Sequence, residues 1–271
     1  MNLIKFIESF TDENMLNSTG SRRESFSQFG NLGKNLALAA IPFGLASLGN
    51  KAYAGDISPT PNTPTGALQF ALILEYLEDD FYKMGLDSGV IPLSENAGRD
   101  RKVFEQIAAH ESDHVAFLKN ALKENAPAKP VFDFTGGNSA NGGGPFNPFG
   151  DYPTFLALAQ AFEDTGVRAY KGQAGNLITQ PALLTAALQI HSVEARHASE
   201  VRRLRGQKGW ITLKDSGGLP PEAQGVYDGE EITMQAGFET STKFGPGAGS
   251  AAFDEPLTTQ EVVNIANLFI V

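Results

Sequence analysis

Four glutamates and two histidines recur in a fixed order along this chain. Glu75 is followed 36 residues later by Glu111-Ser112-Asp113-His114, and Glu163 is followed 31 residues later by Glu194-Ala195-Arg196-His197. Tyr82 stands seven residues after Glu75, and Tyr170 seven after Glu163, so the two halves repeat one pattern. Residues three apart share a helix face, so each Glu-x-x-His can aim a carboxylate and an imidazole at one point. The neighbours step by three or four along apolar seams. Leu68, Ala71, Glu75, Glu78 and Tyr82 form one such seam, and Leu156, Ala159, Glu163, Gly166 and Tyr170 another. Phe104, Ala108, Glu111 and Leu118 continue the pattern, as do Ala187, His191, Glu194 and Val201. The glutamates therefore lie in the face that a helix buries. Four buried carboxylates without counter-charge would be very costly, and two divalent cations would neutralise them.

Each of the four helices has a legible start. Thr63-Pro64 opens the first, which is expected to run to about Leu86. Ser94 caps the second, to about Glu124. Asp151-Tyr152-Pro153 opens the third, to about Gly175-Asn176, and Gln180-Pro181 the fourth, to Gly206. Short connections join the helices into two antiparallel hairpins. Between the hairpins, Asn125 to Gly150 is rich in Gly, Pro, Asn and Phe. A loop that long inside a domain needs a reason, and a crossover along a four-helix bundle supplies one. The expected fold is all-α, with one long crossover and an irregular extension over 207–271 that ends in a short helix from Thr258 or Thr259.

The first 54 residues read differently. Arg22-Arg23 precedes an apolar run from Leu36 to Ala46, and Ala52-Tyr53-Ala54 follows. A basic pair, a short apolar segment and a small-x-small site make an export signal of twin-arginine type, cut after Ala54. This places the chain outside the cytoplasm, in the periplasm. The apolar run is too short to span a membrane. The formal charge is −10 over the whole chain, which disfavours nucleic acid as a partner. Residues 1–54 hold five basic and four acidic residues of the 21 and 31 in the chain, so the remainder is more acidic still, at −11. The absence of cysteine excludes disulfides, thiol catalysis and cysteine-ligated metals. Carboxylate and imidazole donors suit iron and manganese.

The doubled Glu and Glu-x-x-His set resembles the ferritin-like superfamily. Leu72-Ile73-Leu74-Glu75-Tyr76-Leu77-Glu78-Asp79-Asp80-Phe81-Tyr82 and His110-Glu111-Ser112-Asp113-His114-Val115 are more closely similar to exported ferritin-like proteins related to desiccation-associated proteins. The likeness covers about 64–206 and the tail beginning Phe253-Asp254-Glu255-Pro256-Leu257. It implies two Fe or Mn ions, with Glu75 and His114 on one, Glu163 and His197 on the other, and Glu111 and Glu194 bridging. It also implies that Tyr82 and Tyr170 orient ligand carboxylates, although both also fit as ordinary core tyrosines. Glu78 shares a face with Glu75 and competes with it as ligand. His191 reads as a base beside the site, an extra ligand or a hydrogen-bonded core histidine, and His110 as a boundary residue. The implied activity is redox chemistry on oxygen or peroxide. A non-catalytic stress-protection scaffold is the alternative. The Gly/Pro-rich crossover and the long tail argue against a closed storage cage and leave a homodimer open.

Overall fold

The computed structural model describes residues 56–93, 97–137 and 143–271. The export signal expected over 1–54 and the Ser94 cap lie outside these. The three other helix starts form where the sequence places them. Helix α1 spans Pro64–Ser88, and the Thr63 hydroxyl accepts from the Gly66 N–H at 3.0 Å. Helix α2 spans Ala97–Leu122 and tightens into a 3-10 turn at Lys123–Asn125. Asp151 caps α3 (Tyr152–Gln173) by accepting from the Thr154 N–H, and Pro181 opens α4 (Pro181–Leu204). Prolines at these first-turn positions lose no helical hydrogen bond. Helix α1 packs on α2 and α3 on α4, while α1 meets α3 and α2 meets α4 across the interior. This is a four-helix bundle built from two hairpins.

The crossover is rich in Phe because it is packed. Phe134 is buried beside Phe81, Phe155 and Phe162, with Phe149 and Phe146 against the same cluster. Phe81 and Phe155 stack at 4.8 Å, so the aromatic layer closes one end of the helix interior. Phe132 forms an antiparallel bridge with Ile270, which ties the crossover to the end of the chain.

The C-terminal extension wraps the bundle and contains more structure than expected. A 3-10 turn at Pro221–Val226 precedes a small hairpin, β1 (Met234–Gln235) and β2 (Phe238–Glu239). Its two turn residues, Ala236 and Gly237, both have positive φ, which matches the twist of a tight hairpin. Short helices α5 (Ser241–Phe244) and α6 (Pro246–Ser250) follow. The last helix, α7 (Thr259–Ala266), begins with a capping box between Thr258 and Glu261. Its apolar face puts Val262, Val263 and Ala266 against Phe70, Ile73 and Leu74 of α1. Among the described residues, no helix is long and apolar enough to cross a membrane.

Arg168 of α3 anchors the extension. Its side chain is 1% exposed, donates to the carbonyls of Val226, Asp228 and Glu255, and lies 2.9 Å from Glu230. Nearby, Arg202 makes a two-pronged pair with Asp164 at 3.0 and 2.6 Å, and the Tyr227 hydroxyl donates to the same carboxylate. A buried charge is tolerable when it is paired and hydrogen-bonded in this way.

Candidate metal centre

The four glutamates of the repeated pattern meet inside the bundle. Glu75, Glu111, Glu163 and Glu194 are each 0% exposed. His114 turns Nδ1 toward Glu75 at 3.2 Å, Glu111 at 3.0 Å and Glu194 at 3.3 Å. His197 turns Nδ1 toward Glu111 at 2.9 Å and Glu163 at 3.4 Å. Two overlapping sets result, Glu75–Glu111–His114–Glu194 and Glu111–Glu163–Glu194–His197, each with donor atoms within 4.8 Å of one another. Glu111 and Glu194 belong to both.

The tyrosines cross between the halves. Tyr82 of α1 donates its hydroxyl to Glu163 of α3, and Tyr170 of α3 donates to Glu75 of α1. Both are buried, and each fixes the carboxylate of the opposite half. The sevenfold spacing seen in the sequence is thus the signature of an exchange between two related helices. Burial and the facing glutamates push both phenols well above the ordinary range, so they act here as donors.

Within this arrangement several buried atoms lack a hydrogen-bond partner. They are Glu111 Oε1, Glu163 Oε2, both carboxylate oxygens of Glu194 and His197 Nδ1. His197 Nδ1 approaches Glu111 Oε1 to 2.9 Å without forming a hydrogen bond. Five buried, unsatisfied ligand atoms on four neighbouring residues are what a cation would satisfy. All five belong to the set Glu111–Glu163–Glu194–His197, and the residues there fit a metal ion.

The electrostatics agree. Burial and the neighbouring carboxylates push Glu194 and Glu78 well above the usual carboxylate range, and burial raises Glu111 to about 7 despite His114 and His197. Glu75 goes the other way: burial would raise it, but the facing His114 holds it below its ordinary value. Burial opposes the imidazolium at both histidines. Even so, Glu75 holds His114 well above its usual value, and Glu163 and Glu111 hold His197 at about 11. Without a metal, protons must supply the counter-charge.

Glu78 is buried but belongs to neither metal-capable set. It lies against Gly166 of α3: a Cβ there would fall 3.2 Å from Glu78 Oε1 and 3.1 Å from Glu194 Oε2. A glycine stands in the matching place because two carboxylates need the room.

Of the three readings offered for His191, the structure matches the hydrogen-bonded histidine. Its Nδ1 lies 3.0 Å from the Val167 carbonyl, and among the described residues no hydrogen bond or ion pair joins it to the six. The ring is held by the α3 backbone at the Val167 carbonyl rather than by the carboxylates. His110 is half-buried, as its boundary reading expects, and makes a contact beyond that reading. Its Nδ1 is 2.9 Å from His197 Nε2, and the two rings lie edge to edge in nearly one plane, with centroids 5.1 Å apart and planes 10° apart. The residue read as a boundary position buttresses the second imidazole. The sole sequence signal for it was its adjacency to Glu111.

No curated protein matches the chain. The family model of the ferritin-like domain matches residues 63–207, from the cap of α1 to just beyond α4. With that span, the two-hairpin bundle and the interior carboxylate–histidine cluster, the chain belongs to the ferritin-like domain family.

Proposed function

We propose that this protein binds a pair of iron or manganese ions and uses them for redox chemistry on oxygen or peroxide. The observation that carries the reading is the group of buried, unsatisfied atoms on Glu111, Glu163, Glu194 and His197, together with a second donor set, Glu75 and His114, that shares Glu111 and Glu194 with it. Glu75 and His114 would hold one ion, Glu163 and His197 the other, and Glu111 and Glu194 would serve both. Either metal, when bound, supplies cycling between its +2 and +3 states. The chain's own part is to fix the donors, with Tyr170 orienting Glu75 and Tyr82 orienting Glu163. The aromatic layer around Phe81 and Phe155 excludes water from one end.

Metal analysis of the purified chain tests this. Two ions per chain are expected after anaerobic loading with Fe(II) or Mn(II), with loss in Glu111→Ala or Glu194→Ala. A folded chain that takes up neither metal sinks the proposal and leaves the stress-protection scaffold. Fe(II) with oxygen, and peroxide alone, then separate a ferroxidase from a peroxide-consuming enzyme. For residues 1–54 we propose export by the twin-arginine route, supported by the paired arginines and Ala52-Tyr53-Ala54. A secreted product beginning at Gly55 is the expected outcome, and a product retaining Met1 in the cytoplasm contradicts it.

A further inference from the structure

A cleft of about 720 Å³ opens between α2 and α4, directly behind His197. Val103 and Ile107 give it an apolar floor, and the His110 and His197 rings form one wall. Arg99, Lys102 and Arg196 stand at its rim, together with Glu200. Glu200 is already committed to Arg99 at 2.8 Å. Among the described residues, neither Lys102 nor Arg196 has a carboxylate at ion-pair distance. Two uncompensated cations at the mouth of one cleft stand out in a chain of net charge −10.

The imidazole wall adds a directed donor. With Nδ1 turned to Glu111, His197 meets His110 Nδ1 through Nε2 at 2.9 Å. When His197 Nε2 donates, His110 Nδ1 accepts, and His110 Nε2 is left as an N–H. That nitrogen lies 2.9 Å from the exposed Gln106 amide, whose oxygen and nitrogen can exchange places by a flip. A ligand carboxylate can replace the Gln106 amide there.

We propose that this cleft binds a small organic anion, an apolar body bearing a single carboxylate. The body would lie on Val103 and Ile107, and the carboxylate would meet Lys102, Arg196 and the His110 N–H. Cleft size suits a small molecule, and guanidinium and ammonium groups suit carboxylate. Because His110 also touches His197, occupancy is felt at the second half of the donor set. That coupling, unlike the binding itself, rests on the metal reading.

The test is calorimetric titration of the full chain with benzoate, with metal content measured on the same sample. Binding is expected, weaker by about tenfold or more for the neutral benzyl alcohol and for Lys102→Gln/Arg196→Gln. In NMR, benzoate should shift the ring signals of His110 and His197 and leave those of His191 unmoved. Both substituted side chains are exposed, so the double variant should keep the melting temperature of the parent. Absence of benzoate binding, equal binding of benzyl alcohol, an unaffected double variant or unshifted His110 signals would each overturn the proposal. Failure of metal loading with benzoate binding intact would count against the metal reading alone.

Discussion

Tyr82 and Tyr170 show how much one hydroxyl can decide inside a bundle. Each donates to a buried carboxylate of the opposite half. Tyr82→Phe should leave the fold intact and weaken metal binding by about 10–100-fold, the usual effect of removing a group that orients a ligand. Competition with a chelator measures this, and unchanged affinity would return Tyr82 to the role of a core aromatic. Glu78 is predicted to behave oppositely to the ligands. Burial and the charges of Glu194 and Glu163 disfavour its carboxylate, so Glu78→Gln should raise the melting temperature of the metal-free chain and keep two ions per chain. A drop to one ion would make Glu78, rather than Glu75, the ligand. The six donors were legible because helical geometry ties function to fixed offsets, three for Glu and His and seven for Glu and Tyr. His110 was not, because its partner His197 lies 87 residues away on another helix.

At the scale of elements, legibility followed the strength of local signals. Thr63-Pro64, Asp151-Pro153 and Gln180-Pro181 carry caps or prolines that fix a helix start whatever the tertiary context. The hairpin of β1 and β2 has two residues per strand, too few for an alternating pattern, and its turn puts Ala236 in a conformation that alanine does not advertise. The extension is instead held from the bundle side, by Arg168. Arg168→Met would strand Glu230, 2% exposed, without its partner. Breaking a buried pair typically costs ~3–5 kcal/mol. The expected result is a lower melting temperature and new protease cleavage between β1 and α7, with part of the loss recovered in Arg168→Met/Glu230→Gln. Unchanged protease resistance would show that α7 alone holds the extension. The division of labour makes physical sense: the four helices place the donors, and the extension, docked through Arg168 and α7, covers α1 and α3 from outside.

For the whole molecule, the charge buried in the bundle sets how stability answers to pH. Glu111, Glu78 and Glu194 have folded-state values raised above the 4.5 of an unperturbed glutamate. The stability they contribute is full below about pH 4.5 and is lost as pH rises, through about 7 for Glu111. His197, raised from 6.5 to about 11, adds stability that is full below 6.5 and declines toward 11. Glu75, lowered, opposes them only below its ordinary 4.5. Burial lowers His110 and His191, which oppose this trend below about 6.5. Both rings are only half-buried, however, and the interior glutamates with His114 and His197 outweigh them. The metal-free chain should therefore melt at a lower temperature near pH 8 than near pH 5. Metal reverses the slope. Its donors are carboxylates and neutral imidazoles, so binding releases protons and strengthens as pH rises. Ligand binding to the folded state alone raises its stability. Melting curves at the two pH values, with and without Mn(II), should therefore cross. A metal-free chain that gains stability between pH 5 and 8 would mean that the interior glutamates are already neutralised by the protein itself, and the case for a metal pair would lose its electrostatic basis.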